Sequence, residues 1–158
     1  MLRFEVRPAR KVDYAGIVRI LNAYADQPLT IGAFIRWESE RVAVGGFQRL
    51  VAVSPDGTLL ATGVARTGLG CDIENALVQV MVAPAHAHAH EEIAPMLQAV
   101  LERWAVEQGA VRIVSVVKSG SAVTRSKRVW MAAMPVTSLL PQWNPPAIDS
   151  QPRIAAAR

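Results

Sequence analysis

Two apolar, β-branched runs, Leu77–Val82 and Val111–Val117, flank a stretch in which Ile93, Met96, Leu97, Val100, Leu101 and Trp104 recur at helical spacing. Dense runs of this kind read as buried strands. A strand, a long amphipathic helix and a second strand in that order make a parallel pair joined by a crossover. Gly109 stands where a helix of that span would take its C′ residue. This pattern excludes an all-helical or all-antiparallel fold.

The flanking segments fill out the sheet. Phe47–Val53 and Leu59–Thr67 are two further apolar runs, joined by the turn residues Ser54-Pro55-Asp56-Gly57, so they predict a hairpin and make the sheet mixed. Phe4–Arg7 alternates as a first strand. Asp13 then caps a helix over Tyr14–Tyr24, and Thr30 caps a second one that carries Ile31, Phe34 and Ile35 and stops at Gly45-Gly46. After Val117, Ser119 or Ser121 predicts the cap of a last helix running to about Met134. From Pro135 the chain becomes proline-rich. The expected fold class is α/β (α+β): one domain over residues 1–136, a mixed central sheet flanked by about four helices, with a tail over residues 137–158.

Composition narrows the function classes. With 158 residues, 51 % of them hydrophobic, the chain can close one core. No apolar run reaches the ~18 residues of a membrane span, and Arg3, Glu5 and Arg7 interrupt any signal-like stretch. Cys71 is the single cysteine, which fits a reducing compartment, so a cytoplasmic location is expected. Seventeen basic and 13 acidic residues leave a net charge of +4. That bias favours anions, but it is too small and scattered for nucleic acid to be an expected partner. Lys118, Arg125, Lys127 and Arg128 form a basic patch near the predicted last helix. His86, His88 and His90 could share one face, yet no distant carboxylate or cysteine cluster completes a metal site, and no metal is expected.

The order of elements, with Val80-Met81-Val82-Ala83-Pro84 at the end of the central strand, resembles the GNAT superfamily of N-acetyltransferases. The resemblance implies acetyl-CoA as cosubstrate and a small-molecule or peptide amine as acceptor. It implies that the central strand splays from the strand after the long helix, so that backbone groups of Val80, Met81 and Val82 pair with pantetheine. It places the pyrophosphate at the start of the long helix, over Ala87, His88, Ala89 and His90, and a cofactor hydrogen bond at Ser121. Acceptor contacts would come from roughly Tyr24 to Trp37.

The chain departs from the family pattern at the phosphate loop. The positions of its basic residue and two glycines hold Ala87, His90 and Glu92. Glu91 and Glu92 also stand in the helix's first turn, where carboxylates oppose a bound anion by ~0.3–1 kcal/mol each. The family's strand glutamate falls on Ala76, which leaves Glu74, two residues earlier, as the candidate general base acting through a water. The family's tyrosine acid has no counterpart near Trp130 and Met131. Two functions are consistent with these residues. One is acetyl transfer from acetyl-CoA to a primary amine by direct attack. The other is a catalytically impaired GNAT-fold binding or dimerisation module. A short sheet with Trp143 in the tail predicts a homodimer formed through Pro135–Arg158.

Overall fold

A computed structural model of the chain describes residues 2–68 and 75–129. Glu74, Cys71, Trp130, Met131, Trp143 and the whole of the expected tail lie outside the described residues.

The core of the fold is a six-stranded sheet in the order β1 (Glu5–Pro8), β2 (Phe47–Val53), β3 (Leu59–Thr67), β4 (Asn75–Val82), β5 (Arg112–Ser119) and β6 (Ala122–Val129). Every neighbouring pair is antiparallel except β4 and β5, which run parallel, as the crossover requires. Three α-helices cover it: α1 (Tyr14–Asn22), α2 (Ile31–Val44) and α3 (His90–Glu107). No helix among the described residues is long and apolar enough to cross a membrane.

Alternation along the strands sends side chains to two layers. On the back face, Ala52, Val78, Val80 and Val82 meet Ile93, Leu97 and Leu101 of α3. Here α3 presses so close to β3 that a Cβ on Gly63 would lie 2.6 Å from Leu101 Cδ1. On the front face, Val51 and Val53 meet Ile17, Val18 and Phe34 of α1 and α2. Phe34 is fully buried, and burying a side chain of that size contributes ~1.5–3 kcal/mol.

The caps follow the sequence in part. Thr30 Oγ1 accepts the N–H of Ala33 at 3.1 Å, as an N-cap should. Gly109, at φ 98°, ends the turn after α3. Asp13 behaves differently from the expectation: its side chain does not cap α1. It takes Nη1 and Nη2 of Arg7 at 2.7 and 2.9 Å and the N–H of Arg10 at 2.7 Å, which ties the end of β1 to the start of α1.

The largest correction is at the C-terminal end of the described chain. The helix expected after Ser119 or Ser121 is strand β6. Gly120, at φ 56°, and Ser121 form a two-residue loop, with Ser119 paired to Ala122 across it. Ala122–Val129 pairs along the whole of β5, and that pairing outweighs the capping propensity of the serines. Among the described residues, three α-helices therefore flank the sheet.

Candidate functional site

On the front face, the layer of α1 and α2 leaves a cavity of about 430 Å³ against the middle of the sheet. Leu21 closes it from α1, Leu29 from the connecting loop, and Ala33, Phe34 and Trp37 from α2. The sheet supplies Arg49 from β2, Thr62 and Val64 from β3, and Gln79 and Met81 from β4. Register brings these together. Arg49 stands opposite Val64, Val64 opposite Gln79, and Thr62 opposite Met81. The segment Tyr24 to Trp37, expected to face the acceptor, contributes Leu29, Ala33, Phe34 and Trp37 to the wall.

The polar side of the cavity is built around Arg49, which is buried. Its Nε donates to both carboxylate oxygens of Glu38, at 2.8 and 3.1 Å, and its Nη1 reaches Thr62 Oγ1 at 3.4 Å. The guanidinium also lies 5.3 Å from the Phe34 ring centroid and 5.8 Å from that of Trp37, within cation–π range. Arg41 and Arg66 approach the same Trp37 ring at 5.6 and 5.9 Å. Burial, then repulsion from Arg41 and Arg49, holds the Arg66 guanidinium below its ordinary pKa.

Beside Met81, at the C-terminal end of β4, stands a polar group that no local pattern announces. Tyr24, just past α1, donates its hydroxyl proton to the carbonyl of Val82 and accepts the N–H of Gly120 at 2.9 Å. One phenol thus joins the end of β4 to the β5–β6 turn. Its ring packs beside Ile20, Met81 and Ala83. The tyrosine's partners are 58 and 96 residues away in the chain, so no local pattern points to this contact.

The expected donor site is arranged differently from the resemblance. β4 and β5 keep their register to the end of β4, beyond which the Tyr24 hydroxyl stands between Val82 O and Gly120 N. The two strands stay paired from Asn75 opposite Arg112 to Val82 opposite Ser119, while β3 pairs with the other edge of β4. Val80, Met81 and Val82 therefore sit in the middle of a closed sheet. Val80 and Val82 point into the back core, and Met81 faces the cavity. The short β5–β6 turn, held by Tyr24, keeps the two strand ends together.

Nor is there an open phosphate loop. Pro84–Ala89 winds into a 3-10 helix, kinked at His86 (φ −116°, ψ 18°), and leads straight into α3. Such a turn uses its own N–H groups: that of His86 donates to Ala83 O at 2.8 Å, and that of His90 to Ala87 O. Ala87 lies against Gly120, His88 is exposed, and Ala89 is buried in the back core. His90 is half-buried, with an Nδ1 that meets no hydrogen-bond partner among the described residues. Glu92, in the first turn of α3, accepts the N–H of Leu2 at 3.0 Å. The residues expected at the pyrophosphate thus lie on a wound turn that opens α3 beside the carboxylates of Glu91 and Glu92. Ser121 is exposed in the β5–β6 loop.

Three of the four residues of the expected basic patch share a face, while Arg128 pairs with Ile113 at a register position of the opposite face. Lys118 on β5 and Arg125 and Lys127 on β6 share the front face with Met81 and Gln79, because Met81 stands opposite Lys118 and Val116 stands opposite both Gln79 and Arg125.

No protein-family model matches the sequence, and no curated protein matches it. Solved structures do. The chain is similar to an N-acetyltransferase from Staphylococcus aureus Mu50, with a TM-score of 0.63 at 20% identity over 72% of this chain and 73% of that one. It is similar to a GNAT superfamily phosphinothricin acetyltransferase from Sinorhizobium meliloti in complex with acetyl-CoA, with a TM-score of 0.63 at 15% identity over 73% and 66%. A ribosomal-protein-alanine N-acetyltransferase from Brucella melitensis matches with a TM-score of 0.61 at 17% identity over 74% and 76%. The element order, the parallel β4–β5 pair and these neighbours together make the fold of this chain the GNAT fold, in a divergent form.

Proposed function

We propose that this chain transfers an acetyl group from acetyl-CoA to a primary amine held in the front cavity. The observation that carries the reading is the position of that cavity. It lies between the two-helix layer and β4, and it ends on Met81 beside the Tyr24 hydroxyl, in a fold shared with N-acetyltransferases. Acetyl-CoA, when bound, would supply a thioester carbonyl that a neutral amine attacks directly, the C–N bond forming and the C–S bond breaking as the surplus amine proton passes to the CoA thiolate. The chain's own residues have three tasks. The apolar wall of Leu21, Leu29, Phe34, Val64 and Met81 excludes water and favours the neutral amine over the ammonium ion. Gln79 and Thr62 offer the amine polar atoms for orientation. Tyr24 holds a proton at the end of β4.

A second reading is favoured by the closed β4–β5 seam and the wound Pro84–Ala89 segment: a binding module that keeps the amine cavity without the transfer. Titration separates the two. Acetyl-CoA at millimolar concentration should raise the melting temperature with concentration, and amine-dependent release of the CoA thiol should accompany it. A protein that binds amines while showing no acetyl-CoA shift is the module and not the enzyme.

A further inference from the structure

We infer that the ligand of the front cavity carries a carboxylate, separated from its amine by an apolar body and held by Arg66. The inference rests on the front cavity being the ligand site, which both readings above share.

Three guanidinium groups, those of Arg41, Arg49 and Arg66, converge on Trp37. Among the described residues the ion pairs are Arg7–Asp13 and Arg49–Glu38, so one carboxylate answers three cations. Arg66 is half-buried, and its Nε is buried with no hydrogen-bond partner among the described residues. A partly desolvated cation with an unmet donor, beside two others, is a place where an anion is stabilised more than in water. Arg49 spends its Nε on Glu38 and directs Nη1 at Thr62, which leaves Arg66 to offer its planar fork to a carboxylate.

The position in the sheet supplies the spacing. Arg66 stands opposite Leu77, four residues along β4 from Met81, which is about 13 Å of strand. Val64 and Phe34 line the wall between. An amine placed at the Met81 end can therefore reach Arg66 with its other end only across an apolar stretch.

The test uses the full chain and two probes of one shape, 4-(aminomethyl)benzoate and its neutral isostere 4-(aminomethyl)benzamide. Calorimetry without acetyl-CoA should find the benzoate bound about tenfold to hundredfold more tightly, the usual range for a charge-assisted pair. Arg66→Gln should remove most of that preference and leave benzamide binding within about twofold of the parent. Arg66→Lys should restore part of it, and thermal melting checks that both variants fold. Equal affinity for the two probes, no binding of either at millimolar concentration, or a preference that persists in Arg66→Gln overturns the inference. Because binding is read without the donor, absence of acetyl transfer sinks the enzyme reading alone. Acetylation of both amines with equal KM sinks this inference and leaves the enzyme reading standing.

Discussion

Two regions of this molecule meet at the end of β4, and they differ in how much of the chain is committed to them. The front cavity draws side chains from α1, α2 and three strands, with a buried ion pair and aromatic faces placed around it. The start of α3 has no comparable arrangement. Its approach is wound into a 3-10 turn that uses its own N–H groups, and its first turn carries Glu91 and Glu92. A helix N-terminus attracts anions through free N–H groups and a positive dipole end. Here the first are partly used and the second is already answered by carboxylates. The contrast separates what holds the fold from what would hold an anion. The sheet and α3 can persist on core packing alone, while anion capture depends on a few residues at one loop.

The strongest way to break the comparison is through the buried pair. Glu38→Ala leaves Arg49 buried and charged without its carboxylate, which typically costs about 3–5 kcal/mol. Glu92→Ala, at the exposed start of α3, should cost less than about 1 kcal/mol. Urea unfolding of the two variants measures both. Similar losses would mean that the cavity is no more tightly built than the loop.

Tyr24→Phe comes next. It removes a hydroxyl that serves Val82 and Gly120 at once, and the loss should be about 1–2 kcal/mol in thermal or urea unfolding. Amide exchange should quicken at Gly120. If the phenol also holds the β4–β5 seam shut, acetyl-CoA should bind the variant more tightly while the rate of transfer falls. A fall in both would assign Tyr24 to the donor site directly.

The legible part of the fold was the part encoded by periodicity. Ile93, Leu97 and Leu101 announce α3, and the apolar runs of β2 to β5 announce strands, because burial on one face needs those spacings. Strand β6 is not legible because Ser119 and Ser121 satisfy a helix cap as readily as a hairpin turn, and only pairing with β5 decides between them. The cavity's general location was legible from the family resemblance, but its chemistry was not. Arg49 reads as a charge in a strand until tertiary packing sets it against Glu38 and Phe34. Tyr24 reads as one more apolar position of a helix until the sheet brings Val82 and Gly120 to it.

A smaller effect is expected from repairing the loop. His90→Gly with Glu92→Gly removes one first-turn carboxylate and lets the backbone approach an anion. Acetyl-CoA affinity by calorimetry should rise about threefold to tenfold. Unchanged affinity would locate the obstacle in the closed β4–β5 seam and not in the loop, which is a sharper statement of the same contrast.

The smallest effect concerns acid, and it tests whether the front layer loosens apart from the back. Asp13 joins β1 to α1, and the hydrogen bond from Arg7 holds its carboxyl below the ordinary carboxylate range. A carboxylate whose pKa is lower folded than unfolded adds stability that is fully present above the unfolded value, near 3.9, and is lost as pH falls through the folded one. Melting temperature should therefore decline below about pH 4, and Asp13→Asn should flatten part of that decline while lowering the plateau at neutral pH. Amide exchange at low pH should quicken in α1, which Asp13 fastens, before it quickens in α3, whose Ile93, Leu97 and Leu101 are fully buried against the sheet without any contribution from that pair. Simultaneous loss of both helices would make the two layers one cooperative unit, and the cavity between α2 and β4 could then open only by unfolding the sheet that carries it.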